Sequence, residues 1–498
     1  MLETMSLVAS RFMGSASPGS GLSDRAEFLP CRSGSAISSV CDLSGRKRKF
    51  HTRFWNQCSQ LVREAVRVKK MTEQSDAIDL TQPNAHYVKN VEILARTHEV
   101  VASEDVFDSR GTKLVAKGAR VDQTLHERLL RFKLSQPLEA SLSVSDGLTP
   151  AKLLAEAETL FEQIPPLANL LHPASVRSEV MSTIRGMQLG RVSTMLASMG
   201  CASQDGTHNH FALAVVTSLG IGVRLGIDTV QLQNIAMAAL LHDVGELYIN
   251  PEYRQRGRAL TPEEWKHIAA HPRIGQLVIE GTMSLPKSIS IAVAEHHERP
   301  NGFGYPRLLS AKDISPLGNI LLVTEVMCGV FSKDSNVRER ARLAVKVVPG
   351  EYPKEIVSLF STILKQDDTP ESVSQNGACA DDVITRAKRI DLILNNVLNQ
   401  IDQQAKFNGG AGKLQDRIRE RVLMLRRAMH ATGISECSNT VSLSSDDMAF
   451  LALEIETVVF EIEWRIRELS RQVSLSAGEF PADQRESFEL IVTSLSAD

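Results

Sequence analysis

The sequence predicts a mainly α-helical protein in which a central helical bundle lies between a small N-terminal α/β module and a C-terminal helical bundle. Three observations support this architecture. Apolar residues recur at helical spacing through residues 205–365 and again beyond residue 381. Short apolar runs separated by turn residues occupy residues 91–145, as in small strands. The length of 498 residues also suits two to four domains rather than one.

The composition argues against several classes of protein. With 56 Lys and Arg against 59 Asp and Glu, the formal net charge is −3, which does not favour a nucleic-acid polymer as a partner. There is no run of about 18 apolar residues, so we expect no transmembrane helix and no membrane contact. The seven cysteines include no CxxC pair, which is typical of a reducing compartment. We therefore expect a cytoplasmic protein.

The first 70 residues differ from the rest of the chain. They carry 12 basic and 5 acidic residues, are rich in Ser and Gly, and include the basic run Arg46–Lys49. A targeting peptide is one interpretation, but no apolar segment follows a basic start as it would in a signal peptide. We expect a disordered leader over residues 1–80, or a start site assigned too early, because a more ordinary sequence opens at Met71.

The α/β module is predicted over residues 86–150. The apolar runs Val100–Ala102, Val106–Phe107 and Leu114–Val115 are expected to form two or three short strands joined by a turn at Gly111. A helix from Thr124 to Phe132 and a strand around Leu138–Val144 are expected to follow. A helical connector is then expected over residues 151–204, with breaks at its prolines.

The C-terminal bundle is predicted over residues 381–498, after a linker at 366–380. Its apolar residues follow helical spacing in three stripes, of which Ile390, Val397 and Ile401 form part of the first. Three or four amphipathic helices fit a small bundle. We interpret the stripes as the core of this bundle rather than as a partner interface, because helical faces usually pack within their own domain.

The central bundle contains a set of residues that suit metal binding. They recur about once per helical segment and are His210, His242, Asp243, His271, His296, His297 and Glu325. One histidine on an apolar helix is usually a core residue, but a set of this size rarely arises from packing alone. Asp243 follows an apolar run, where a carboxylate is costly unless it is paired or bound to metal. Mixed His and carboxylate ligands suit Fe, Mn or Zn.

The central region resembles the HD-GYP family, a subgroup of the HD metal-dependent phosphohydrolases. The resemblance covers about residues 205–365 and rests on Leu241-His242-Asp243, on His271-Pro272, and on the block from His296-His297-Glu298 to Gly304-Tyr305-Pro306. It implies an HD-type helical bundle and hydrolysis of cyclic di-GMP to pGpG or GMP by a hydroxide that two metal ions activate. The ions are expected to be Fe or Mn. By the same resemblance, the metal ligands are the seven residues of the set above, with Asp243 bridging the two ions.

The resemblance also suggests roles beyond the metal ligands. The candidate catalytic residues are Asp243, His242 and Glu246, and the candidate substrate-binding residues are Arg299, Gly302, Gly304, Tyr305 and Pro306. The family usually has Lys where Glu246 stands and Asp where Glu325 stands. A carboxylate at position 246 would repel an anionic substrate or become an extra metal ligand.

Two alternatives therefore remain open. A degenerate domain would bind a cyclic dinucleotide or a partner protein without turnover, and another HD phosphohydrolase would act on a different nucleotide. The N-terminal and C-terminal regions are candidates for contact with a protein partner in signalling or with a second copy of the chain.

Overall fold

The chain divides into two units, Met1–Asp76 and Ala77–Asp498. The computed structural model describes residues 40–41, 47–48, 79–121, 128–202, 210–255, 258, 260–333, 337–364, 380–431 and 445–496. In the first unit, the backbone of β1 (Val40–Cys41) pairs antiparallel with that of β2 (Lys47–Arg48). Apart from these two strands, the predicted leader at 1–80 lies almost wholly outside the described residues.

The small α/β module begins with α1 (Ala85–Ala95), whose first turn is capped by the Asn84 side chain, which accepts from the amides of His86 and Tyr87. The other elements are β3 (Val100–Ala102), β4 (Val106–Phe107), β5 (Lys113–Val115), α2 (Leu138–Ser141) and β6 (Leu142–Val144). Strand β3 pairs antiparallel with β6, and β4 with β5.

Two predictions for this module need comment. The first half of the strand predicted over Leu138–Val144 is helical instead. Pro137 stands just before this helical turn. At that position an amide would have no intrahelical partner, so the amide that proline lacks is not missed. Of the helix predicted from Thr124 to Phe132, residues 124–127 fall outside the described residues, and residues 128–130 are helical.

The connector is helical, as predicted. It consists of α3 (Pro150–Gln163), α4 (Pro165–Leu170), α5 (Ala174–Arg185) and α6 (Arg191–Ala202). Prolines stand at the start of α3 and of α4, where the missing amide has no intrahelical partner to lose.

The central bundle consists of α7 (His210–Leu225), α8 (Thr229–Leu241), α9 (Pro262–Thr282), α10 (Lys287–Glu295) and α11 (Pro316–Phe331). Local sequence fixes several of the starts. The Asp228 side chain caps α8, and Thr261 and Glu264 form a reciprocal capping box at α9. Two short 3₁₀ helices, Val244–Tyr248 and Pro251–Arg254, connect α8 to α9.

One hydrophobic core runs through the module, the connector and the central bundle, from Tyr87 to Leu364. The Tyr87 ring stacks on Tyr248 at 5.1 Å, and the Asn90 amide donates to the Leu247 carbonyl at 2.9 Å. Both partners belong to the first 3₁₀ helix. The predicted boundaries between these regions stay predictions, but their packing is continuous.

The C-terminal part has a second core. The two helices that precede it, α12 (Val337–Ala344) and α13 (Lys354–Ile363), bury apolar residues in the first core. The second core is built on α14 (Ala380–Gln403), α15 (Gly409–Ala431), α16 (Ser445–Ala477) and α17 (Ala482–Leu495). Ile390, Val397 and Ile401 of the first predicted stripe are buried in this core. Almost all of the predicted linker lies outside the described residues. The mainly α-helical prediction is confirmed, and no helix in the described ranges is both long and apolar enough to cross a membrane.

A buried ion cluster lies between the two cores. Glu351, in the segment between α12 and α13, is fully buried and accepts from Arg421 of α15 at 2.7 Å and from Arg465 of α16 at 2.6 Å. Arg465 also donates to the Ala344 carbonyl at 3.1 Å. One carboxylate thus connects two helices of the C-terminal bundle to the chain that leaves the central bundle.

Candidate metal centre

Helix ends bring the histidines together. His210 begins α7, His242 directly follows α8, and His296 and His297 follow α10, while His271 and Glu325 lie within α9 and α11. The ligand atoms form two groups, each within 4.8 Å. The first group is His210, His242 and Asp243, and the second is Asp243, His271, His296 and His297. Asp243 belongs to both groups.

In the first group, the Nε2 atoms of His210 and His242 lie 3.0 Å apart. Asp243 Oδ2 lies 3.3 Å from the former and 3.2 Å from the latter. Glu325 stands next to this group, with its Oε2 3.6 Å from His210 Nε2 and 3.4 Å from His242 Nε2. The Glu325 carboxylate is therefore close enough to both histidines to complete the first group of ligands.

The second group uses the other oxygen of the same carboxylate. Asp243 Oδ1 lies 3.4 Å from His271 Nε2 and 3.5 Å from His296 Nε2, and these two nitrogens are 3.0 Å apart. The His297 ring completes the group. One oxygen of Asp243 therefore faces each group, as a bridging ligand requires.

Backbone carbonyls fix three of the rings through their Nδ1 atoms. His242 Nδ1 lies 2.8 Å from the Ala239 carbonyl, and His296 Nδ1 lies 2.6 Å from the Val293 carbonyl. Both carbonyls belong to the last turn of a helix, where the intrahelical ladder ends. Since a carbonyl only accepts, each Nδ1 carries the proton, and in the neutral ring Nε2 keeps its lone pair.

His271 lies inside α9, and the proline that follows it frees its carbonyl partner. Pro272 has no amide, so the carbonyl of Ile268, four residues earlier, has no intrahelical donor. The His271 Nδ1 donates to that carbonyl at 2.7 Å. The His271-Pro272 pair thus supplies the ring and leaves the Ile268 carbonyl free to orient it.

These protonation states indicate that the groups suit a cation. His271 and His296 both donate through Nδ1, so in their neutral forms the two rings face each other with bare Nε2 acceptors 3.0 Å apart. Two nitrogens each about 2.1 Å from one ion, at right angles, would be about 3 Å apart. His and carboxylate donors in this arrangement fit a divalent transition metal.

Replacing Pro272 with alanine should weaken the second metal position without weakening α9. The new amide competes with the His271 ring for the Ile268 carbonyl, and losing such an outer hydrogen bond typically costs about 10–100-fold in metal affinity. We expect Mn²⁺ affinity, measured by titration calorimetry, to fall at one of two positions while the melting temperature does not fall. Pro316→Ala, at the first position of α11, is the matched control. Unchanged affinity in Pro272→Ala would show that the Ile268 carbonyl does not orient the ring.

Close backbone packing positions the segment after Asp243. A Cβ on Gly245 would overlap the carbonyl oxygen of His271. Only glycine lets the first 3₁₀ helix approach α9 this closely. The contact holds Asp243 and His271 at their short separation.

The electrostatics keep the centre's carboxylates charged. Burial acts to raise the pKa of Asp243, but the charge of His242 and hydrogen bonds from His210 outweigh it, and the pKa lies well below its usual value. Burial likewise opposes ionisation of Glu325, yet the hydrogen bond from His242 and the charge of His210 lower its pKa to about 2. Burial and the neighbouring His296 hold the pKa of His297 well below its usual value, so this ring is neutral and free to bind metal.

Glu246 lies outside both ligand groups. Its carboxylate accepts from Arg254 of the second 3₁₀ helix at 2.8 Å. Burial and the nearby Asp243 raise the pKa of Glu246, while His271 and Arg254 act against that shift. The positive charge of Arg254 therefore offsets the negative charge of Glu246, which the sequence analysis expected beside the centre.

The loop after His297 is closed on itself. The buried Glu298 carboxylate accepts from the amides of Arg307 at 2.6 Å and Leu309 at 2.8 Å, which ties its two ends together. The Tyr305 ring stacks on the His297 ring at 4.6 Å. Arg299 is only 3% exposed, and its guanidinium lies over the Tyr352 ring at 5.3 Å. This burial does not favour the predicted contact between Arg299 and a substrate.

The C-terminal bundle also contacts this loop, and sequence reasoning missed the contact. Arg417 of α15 donates to the Gly302 carbonyl at 2.7 Å, and Gln472 of α16 donates to the Phe303 carbonyl at 3.0 Å. Neither residue belongs to a motif, and each lies more than 100 positions from its partner in the chain. No local signal marks such a contact.

Comparisons with known proteins agree with this geometry. A family model described as an HD domain matches residues 192–333. The chain is 29% identical over 183 residues to a cyclic di-GMP phosphodiesterase of Thermotoga maritima, covering 34% of this chain and 50% of that protein. It is 30% identical over 156 residues to the cyclic di-GMP phosphodiesterase PdeB of Borreliella burgdorferi, covering 30% and 41%. It is 29% identical over 114 residues to the 3′3′-cGAMP-specific phosphodiesterase 3 of Vibrio cholerae, covering 23% and 24%.

The matched region and the paired clusters together define an HD domain. The His296-His297 pair and the Gly304-Tyr305-Pro306 loop that follows it narrow the class further. These features support the resemblance of this region to the HD-GYP family. The chain spans half or less of the length of the relatives described above.

Proposed function

We propose that the central domain is a metal-dependent phosphodiesterase that hydrolyses cyclic di-GMP to pGpG or GMP. The observation that carries this proposal is Asp243, whose two oxygens face two separate groups of histidines. Two of the relatives that share this region are cyclic di-GMP phosphodiesterases. Two divalent ions, Fe or Mn, suit the ligand set.

Each ligand has a proposed place. His210 and His242 would hold one ion with Asp243, and Glu325 would complete that position. His271, His296 and His297 would hold the other ion with the same Asp243. When bound, the two ions would lower the pKa of a water between them and offset the charge of the phosphodiester.

The surrounding residues would prepare the site for an anionic substrate. Arg254 neutralises Glu246, so the approaching phosphate does not meet an unpaired carboxylate. Gly302, Gly304, Tyr305 and Pro306 would border the substrate groove. Glu246 would act through Arg254 rather than as a ligand, because its carboxylate is already paired with Arg254 at 2.8 Å.

The ion pair also bears on the first alternative. Repulsion by Glu246 was the main reason to expect binding without turnover, and Arg254 removes most of that repulsion. The second alternative, another nucleotide substrate, gains some support from the Vibrio cholerae relative, which is specific for 3′3′-cGAMP. Contact with a protein partner or a second copy stays a prediction.

The test is hydrolysis by the purified full chain, loaded anaerobically with Mn²⁺ or Fe²⁺. Cyclic di-GMP, 3′3′-cGAMP and linear pGpG are incubated separately, and the products are separated by chromatography. We expect pGpG or GMP from cyclic di-GMP, and no product from chelator-treated protein. Turnover of 3′3′-cGAMP alone would move the proposal to that substrate. No product from metal-loaded protein would support the binding module instead.

A further inference from the structure

His297 differs from the other three rings of known orientation. His242, His271 and His296 each donate through Nδ1 to a backbone carbonyl. In the described part of the chain, no such bond is found for His297. Its ring lies flat on the Tyr305 ring instead, with centroids 4.6 Å apart and planes 20° apart.

We propose that Tyr305 is a positioning residue for His297, and that the C-terminal bundle holds Tyr305 in place. Occupancy of the second metal position would then depend on the contact between the bundle and the loop. This inference rests on the proposed two-metal site. The stacked Tyr305 ring would restrict the orientation of the His297 ring, as a backbone carbonyl restricts the orientation of the other three rings.

The position of Tyr305 is set from two sides. Its amide donates to the His297 carbonyl at 3.0 Å, which fixes the backbone beneath the stacked rings. The Trp265 ring of α9 meets the Tyr305 ring edge-on at 5.5 Å. The Arg471 guanidinium of α16 lies over Trp265 at 4.7 Å. One stacked pair of rings, one edge-on contact and one guanidinium over a ring therefore connect His297 to a helix of the C-terminal bundle.

The bundle also binds the loop backbone just before Tyr305. Arg417 and Gln472 donate hydrogen bonds to two successive carbonyls, those of Gly302 and Phe303. The Phe303 side chain is 4% exposed and lies against the guanidinium groups of Arg417 at 5.6 Å and Arg421 at 5.0 Å. These contacts, from two helices, hold the chain two residues from the stacked tyrosine.

There is room for the tyrosine to move if these contacts are lost. A cavity of about 510 Å³ lies between α9, the loop and the bundle, and its walls include Tyr305, Trp265, Leu414 and Val473. Close packing therefore does not hold the ring on this side. The polar and aromatic contacts to the bundle are what keep it over His297.

The first experiment counts metal ions without using substrate. Mn²⁺ is titrated into the metal-free full chain by calorimetry, with Tyr305→Ala and Tyr305→Phe beside the unaltered protein. We expect two sites in the unaltered protein and in Tyr305→Phe, which keeps the stacked ring. In Tyr305→Ala, we expect one site to weaken about 10–100-fold and the other to be unchanged.

The second experiment tests the bundle. The double variant Arg417→Ala/Gln472→Ala removes both donors to the loop and should weaken the same single site. Arg419→Ala, on the same helix but in an exposed pair with Asp402, is the matched control and should leave both sites unchanged. If Tyr305→Ala does not fold, the comparison of Arg417→Ala/Gln472→Ala with Arg419→Ala tests the inference instead.

Several outcomes would overturn the inference. These are unchanged Mn²⁺ binding in Tyr305→Ala and in the double variant, equal weakening of both sites, or a single site in the unaltered protein. Two Mn²⁺ sites without hydrolysis of any cyclic dinucleotide would overturn the proposed function and leave this inference standing.

Discussion

Replacing Asp243 with alanine is expected to empty both metal positions together and to lower phosphodiester hydrolysis by more than about a hundredfold. An outer hydrogen-bond partner of a metal ligand is typically worth about 10–100-fold, and Asp243 faces both groups directly. The remaining histidines would have to hold two cations with no bridging charge between them. No other residue belongs to both ligand groups in the part of the chain that the structure describes.

Metal content by mass spectrometry of the purified protein, together with product formation, measures this effect. His210→Ala is an informative comparison, because it removes a ligand from the first group only. Glu246→Gln is the control, since it lies outside both groups and should keep full metal content. An Asp243→Ala protein that retains either ion at full occupancy would show that the carboxylate does not bridge.

Replacing Glu351 with glutamine is expected to lower the free energy of unfolding by about 3–5 kcal/mol, the range seen when one partner of a buried ion pair is removed. Glu351 is fully buried and receives hydrogen bonds from Arg421 and Arg465, which are themselves buried. Glutamine keeps the shape but removes the paired countercharge of Arg421 and one of the two carboxylates paired with Arg465, which keeps Glu461. The loss would fall on the contact between the central bundle and the C-terminal bundle.

The same carboxyl predicts sensitivity to acid. Burial opposes its ionisation, but the charges of Arg465 and Arg421 lower the pKa of Glu351 from its usual 4.5 to about 2. Because this pKa is lower in the folded protein, the carboxylate contributes about 3 kcal/mol of stability above about pH 4.5. That contribution is lost as the pH falls toward 2.

Urea unfolding at pH 7 and at pH 3, followed by circular dichroism, checks both statements. The difference between the unaltered protein and Glu351→Gln should be large at pH 7 and smaller at pH 3. Asp402→Ala removes an exposed ion pair with Arg419 in the same bundle and should cost less than about 1 kcal/mol. Equal effects of the two substitutions at pH 7 would contradict the importance of burial here.

Sequence reasoning predicted which side chains come together at the centre because these residues stand in short motifs. His242-Asp243 and His296-His297 each sit at a helix end, and the type of each residue is itself the signal. The mainly helical class and the stripe of Ile390 and Val397 followed from periodicity, which burial enforces locally. These features depend on neighbours in the chain.

The features that sequence reasoning missed depend on distant neighbours or on geometry. Arg417 and Gln472 are ordinary polar residues of amphipathic helices, and nothing near them in the chain points to the loop. Glu246 looked repulsive because its partner Arg254, eight residues later, lies on a separate 3₁₀ helix. The contact of Arg299 with a substrate stays a prediction, but its burial beside Tyr352 could not be predicted from the residue type. Each of these contacts depends on how the chain packs in three dimensions and not on the local sequence.

The contact between α1 and the first 3₁₀ helix has a consequence for how this protein can be divided. Asn84 and Asn90 donate to the carbonyls of Tyr248 and Leu247, and Tyr87 stacks on the Tyr248 ring. A fragment cut at the edge of the recognisable motif would leave those carbonyls and that ring facing water, only a few residues from Asp243. The smallest autonomous folding unit that retains the metal centre is therefore larger than the homologous segment and includes α1. Replacing α1 with another sequence would therefore remove the contacts that pack the segment carrying Asp243.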